Sequence, residues 1–165
     1  MAVRHIIAIL LQNEAGALSR VAGLFSTRGY NIESLSVAPT QDPTVSRITL
    51  VTKGSEAVIS QIASQLLKLV DVVNVEDMTS GEHLERELLL VRLDVRDGQR
   101  TAIDELLARQ GARVIAEKGA TLLVELTSSE VAVARLLEDL AGVAEIREVV
   151  RSGALGIGQG GGGKS

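Results

Sequence analysis

Between Arg4 and Leu11 the chain reads RHIIAILL, an apolar run of strand length, after which the period lengthens. Leu18, Val21, Ala22 and Phe25 recur at i, i+3, i+4, i+7, the spacing of a buried helical stripe, and Gly29 follows as a C-cap. Strand character returns at Ile32 to Ala38 and at Ser46 to Thr52. The intervening PTQDP, with the two prolines of the chain and Asp42, predicts a turn, so these two strands form a hairpin. A second helix from about Ser55 places Ile59, Ile62, Ala63 and Leu66 on one face, and VVNVED, Val72 to Asp77, closes the half as a strand. The order is βαββαβ.

The second half repeats it. ELLLVRLDV, Glu87 to Val95, is a strand. A helix near Thr101 to Gln110 presents Ile103, Leu106 and Leu107 and ends at Gly111. ARVIAE and TLLVEL form a hairpin around Lys118 and Gly119, and Ser128 or Ser129 caps a helix carrying Val133, Leu136, Leu137 and Leu140. VAEIREVV is the last strand. The expected architecture is α+β, two ferredoxin-like units at 1–77 and 88–152, with a polar linker at 78–87 and a flexible glycine-rich tail at 153–165. HIIAILL and ELLLVRL are apolar at consecutive positions, so both faces of each sheet are expected to be buried, which points to an oligomer.

Composition narrows the function classes. A net charge of −4, with acids and bases interspersed, offers no basic face for nucleic acid, and Phe25 and Tyr30 are the only aromatic side chains for stacking bases. Cysteine is absent, which removes thiolate chemistry and fits a cytoplasmic protein, and no apolar run reaches membrane-spanning length. An enzyme acting alone would need more than the chain's two histidines supply. His5 reads as structural and His83 as part of a solvated charge run with Glu82, Glu85 and Glu87, a weak metal site at most. No metal or cofactor is expected in this chain. The last eight residues, GQGGGGKS, satisfy the phosphate-loop pattern, but no helix follows Ser165 to aim N–H groups at a phosphate, so the run reads as tail.

The segment from Leu10 to Pro39 carries more specific information. Asn13-Glu14-Ala15-Gly16 leads from strand to helix, placing Gly16 and Ala17 near a helix N-terminus, which favours carboxylates. Asn31 lies just past Gly29 and, if the next strand pairs beside the first, is expected to approach either the same strand end or that of a partner subunit. Two neutral amides and a helix end suit a zwitterion, although asparagine at such positions also serves as a local cap or turn residue.

The run NEAGALSRVAGLFSTRGYNIESLSVAPT, followed by DPTVSRITL, QLLKLVDVVNV, EREL and VRSG, closely resembles the regulatory small subunits of acetohydroxyacid synthase, also called acetolactate synthase, from about Arg4 to Gly156. The resemblance implies an N-terminal ACT domain pairing as a homodimer and a second ferredoxin-like domain. It implies that Asn13, Gly16, Ala17 and Leu18 of one subunit, with Asn31 and Ile32 of the other, bind valine or a related branched-chain amino acid. It also implies a separate catalytic large subunit, which alone would carry thiamin diphosphate, magnesium and FAD. A stand-alone amino-acid sensor sharing the same loop is the alternative. GIGQGGGGKS matches no feature of the family and receives no role.

Overall fold

The computed structural model describes residues 2–160. The chain divides into two units, one of 2–84 together with 154–160 and the other Glu85–Gly153.

In the first unit β1 (Val3–Gln12), α1 (Ala17–Thr27), β2 (Ile32–Pro39), β3 (Val45–Gly54), α2 (Glu56–Leu66) and β4 (Val72–Asp77) follow the predicted order. All strand pairs are antiparallel, in the order β2-β3-β1-β4, leaving β2 and β4 as edges. Alternation sorts β1 cleanly. Ile7, Ile9 and Leu11 join Ile48 and Leu50 of β3 beneath Ala17, Val21 and Phe25 of α1 and Ile59, Ile62 and Leu66 of α2. Each of these side chains larger than alanine contributes roughly 1.5–3 kcal/mol on burial, which is what holds the two helices on one face. α1 closes in a Schellman arrangement: Gly29 N–H donates to Ser26 O and Tyr30 N–H to Phe25 O, both at 3.0 Å. Ser55 caps α2 by accepting the Val58 N–H. The phase of α1 differs from expectation. Ala17 is buried and Leu18 is 40% exposed, because the helix begins only at Ala17 and turns that small side chain, not the leucine, onto the sheet.

The opposite face of this sheet corrects two expectations. Ile6 and Ala8 of β1 and Val51 of β3 are covered by Met78 and by Ala154, so the chain itself supplies part of the cover assigned to an oligomer. Residues 153–165 are also not wholly a tail. Beyond Gly153 the chain forms β9 (Leu155–Gly158), which pairs with β5 (His83–Val95), and Gln159 N–H donates to Glu82 O at 2.9 Å. The half-buried Arg47 guanidinium donates through Nη2 to Gly156 O at 2.7 Å. Residues 161–165, including the Lys-Ser end of the phosphate-loop pattern, lie outside the described residues.

β5 begins at His83, so 78–87 is not a linker throughout. Its later residues are paired backbone, and Glu87 is buried against Arg151 instead of belonging to a solvated run.

The second unit continues with α3 (Arg100–Gln110), β6 (Arg113–Lys118), β7 (Thr121–Ser128), α4 (Glu130–Ala141) and β8 (Ala144–Arg151), in sheet order β6-β7-β5-β8. Leu89, Val91 and Leu93 of β5 pack with Ile103, Leu106 and Leu107 of α3 and Val133, Leu136 and Leu140 of α4. Ser129, not Ser128, caps α4 by accepting the Ala132 N–H. Leu88 and Leu90, on the other face of β5, are exposed.

Candidate functional site

The loop from β1 to α1 is tied down at almost every residue. Gln12 N–H donates to Asp71 O at 2.7 Å, Asn13 N–H to Thr44 O at 2.8 Å, and Glu14 N–H to Gln12 O at 2.9 Å. The Asn13 side chain, on an exposed residue, donates through Nδ2 to Pro43 O at 3.3 Å. Gly16 is the N-cap of α1 with φ 83°, a left-handed conformation that disfavours any Cβ. It carries no capping side chain, so among the first-turn N–H groups of the helix only that of Ala17, which donates to Glu14 O at 3.2 Å, is engaged by the loop, and no side chain competes for an incoming anion. Leu18 stands exposed beside them.

Sequence reasoning missed two residues at this loop. Arg20 lies one turn after Gly16, and its Nε donates to Asp71 Oδ2 at 2.5 Å. Asp71 is buried to 3% exposure, whereas the Arg20 side chain is 48% exposed. The hydrogen bond to Asp71 is the largest cause that pushes the Arg20 pKa further up, so the guanidinium stays charged. The only available signal was a lone acid in KLVDVV at the start of an apolar strand, which a periodicity reading treats as a turn residue.

Asn31 and Ile32 lie elsewhere. Ile32 pairs with Thr52 and Thr52 with His5, whereas Pro39 pairs with Ser46 and Ser46 with Leu11. Asn31 is therefore level with the start of β1 and Asn13 lies past its end, ~30 Å away at ~3.3 Å per residue. The alternative in which Asn31 reaches the strand end of its own chain is overturned, because β2 pairs with β3 and not with β1. Asn31 is exposed, and its backbone carbonyl accepts from Thr52 Oγ1 at 2.8 Å. The structure thus brings Asn13, Gly16, Ala17 and Leu18 together and leaves Asn31 and Ile32 at the far end of the edge strand β2, which pairs on one side only, with β3.

His5 is buried, with Nδ1 3.1 Å from Asp77 Oδ2. Burial raises the Asp77 pKa, but hydrogen bonds from Thr79 and His5 outweigh it and hold the carboxyl below its ordinary value. His83 Nδ1 lies 2.8 Å from Gly81 O. Among the described residues no three His, Cys, Asp or Glu side chains gather as a metal site, and no helix is long and apolar enough to cross a membrane.

Two family models match the chain, an AHAS small subunit-like ACT domain over residues 7–74 and a small subunit of acetolactate synthase over residues 86–160. The second match runs past Gly156, so the early part of the glycine-rich end lies within the family pattern. The acetolactate synthase isozyme 3 small subunit of Salmonella typhimurium is 45% identical over 158 residues, covering 96% of this chain and 97% of that protein. A probable acetolactate synthase small subunit of Archaeoglobus fulgidus is 37% identical over 155 residues, covering 94% and 96%. The crystal structure of the acetolactate synthase small subunit from Thermotoga maritima superimposes with a TM-score of 0.85 at 27% identity, covering 95% of this chain and 98% of that one.

Proposed function

We propose, from the premise that this chain belongs to the family of acetolactate synthase small subunits, that it activates a catalytic large subunit and makes that partner sensitive to valine. Thiamin diphosphate, magnesium and FAD belong, in this reading, to the catalytic partner, and the assembly is cytoplasmic.

One observation carries the effector site: β2 is an edge strand whose two ends align with the two halves of the site. A second copy adding its own β2 antiparallel across a two-fold axis gives a continuous sheet and satisfies the open backbone groups. Such pairing sets the Ile32 end of one β2 against the Pro39 end of the other, and Pro39 is level with Leu11, at the loop. Asn31 and Ile32 of one copy thereby reach the end where Asn13, Gly16, Ala17 and Leu18 of the other lie. A small zwitterion fits this arrangement: its carboxylate meets the uncapped first turn of α1, its ammonium meets amide oxygens, and Leu18 and Ile32 face its side chain. Valine inhibits only if it binds the inhibited holoenzyme better than the active one, and the catalytic state then changes valine affinity by the same factor.

The test is a valine titration of acetolactate formation by the reconstituted holoenzyme, with each variant first checked for dimerisation by sedimentation. Gly16→Asp puts a carboxylate where the effector's own belongs, at a left-handed φ, and should abolish the response. Asn31→Ala leaves one or two ligand hydrogen bonds unmade, about 1–3 kcal/mol, or roughly five- to a hundredfold in affinity. Both should still activate the partner. Two folded, dimeric variants that retain full valine sensitivity would remove the effector from this loop.

A further inference from the structure

The β1–α1 loop is one side of a closed ring of interactions. At its start, Gln12 N–H is held by the Asp71 carbonyl at 2.7 Å, and at its end Arg20 N–H is held by the Gly16 carbonyl at 3.0 Å. The ring is closed by side chains, Arg20 Nε to Asp71 Oδ2 at 2.5 Å. The same guanidinium covers the loop's glycine, since a Cβ built on Gly16 would stand 2.9 Å from Arg20 Nη1. Asp71 is buried, and a buried carboxylate stripped of its cation is left uncompensated, so the bond is not easily exchanged for water.

We propose that Arg20 and Asp71 are positioning residues of the effector response: their ion pair fixes the loop so that the first turn of α1 presents Gly16, Ala17 and Leu18 to the ligand. The inference rests on the reading that the effector binds at this loop. Arg20 acts through the loop it closes, not by touching the amino acid. A loop held within a fraction of an ångström has little entropy left to lose on binding, and releasing the ring returns that cost.

The experiment measures L-valine affinity of the full-length chain by calorimetry for Arg20→Ala, Arg20→Lys, Asp71→Asn and Arg20→Ala/Asp71→Asn, at a temperature where thermal melts show each folded. Arg20→Ala and Asp71→Asn should each weaken affinity roughly three- to thirtyfold. The double variant should be no weaker than either single, because one ring opens only once. Arg20→Lys, able to re-form an ion pair with Asp71, should recover most of the loss. An Arg20→Ala affinity within twofold of the parent, even with a lowered melting temperature, overturns the proposal, as does a double variant whose losses multiply. Asn31→Ala in the same series separates the two levels. If it weakens valine while the ring variants do not, only the positioning role falls; if none of the variants changes affinity, the loop is not the effector site and both readings fall.

Discussion

Replacing Gly156 by alanine probes how firmly the returning strand is seated. Its φ lies outside the left-handed region, so an added methyl meets no backbone strain, only its neighbours. That methyl would stand 2.8 Å from Met78 Cε, 2.9 Å from Ile6 Cδ1 and 3.5 Å from Met78 Sδ. Carbon atoms pack best at ~3.5–4.0 Å, so most of an ångström must be found on two sides. Met78 is flexible, but it is 2% exposed and Ile6 is fully buried, which leaves neither a place to go. Overpacking of this kind costs ~1–3 kcal/mol. The alternative is for β9 to lift away, forfeiting the bond from Arg47 to the Gly156 carbonyl, and a hydrogen bond to a charged group is worth about 1.5–3 kcal/mol. Either route gives a loss in the same range. Urea unfolding of the full chain reads it, with hydrogen exchange at the Gln159 amide, which donates to Glu82 O at 2.9 Å, separating a repacked strand from a detached one. Met78→Ala in the Gly156→Ala background opens the needed space, so the double variant should be less destabilised than the sum of the singles by about 1 kcal/mol or more. Gly160→Ala, with no atom within 4 Å of the new methyl, is the control. A Gly156→Ala protein within about 0.5 kcal/mol of the parent, with additive double-variant losses, would refute the argument.

Asp77 should make stability pH-dependent at the acid end. Its folded pKa lies below the ordinary 3.8, so the unfolded chain binds more protons there; the contribution is complete above that value and is lost as pH falls through the folded pKa. Asp77→Asn should flatten this part of the urea midpoint profile, and coincident profiles would remove Asp77 from the account. Deleting 161–165 should leave folding, activation and valine response unchanged, and saturable ATP binding lost on that deletion would contradict the reading of the glycine run as tail. Ending the chain at Gly153 should instead destabilise the first unit, because Ala154 and Gly156 leave its open sheet face.

Local pattern was enough for the element order. Ile7, Ile9 and Leu11, or Val133, Leu136 and Leu140, announce their period within a few residues, and periodicity is a local property. What escaped depends on partners distant in sequence. Ala17 and Leu18 fit a helical stripe equally well, and only the start of α1 decides between them. ALGIG reads as tail because its glycines carry no apolar pattern, yet Gly156 is required by the close approach of Ile6 and Met78. Asn13, Gly16 and Ala17 stand out in the sequence from their place between a strand and a helix, and Leu18 from the family resemblance. The separation of Asn31 from them was not legible, since it follows from the register of β2 on β3. Arg20 and Asp71 are 51 positions apart, and nothing near either names the other.

The chain order of the two units also has a consequence on the ribosome. Residues 2–84 emerge complete with both helices, but Ala154, which finishes their second sheet face, is made only after all of Glu85–Gly153. At ~5–20 residues per second this interval is of the order of 4–14 s. Throughout it the nascent first unit shows Ile6, Ala8 and Val51 to its surroundings without that cover. An apolar sheet face held open for seconds is a substrate for chaperones and for premature pairing between neighbouring nascent chains. Synthesis of the segment that begins at Ala154, not of the first half, therefore closes the window in which this protein is most easily lost to aggregation.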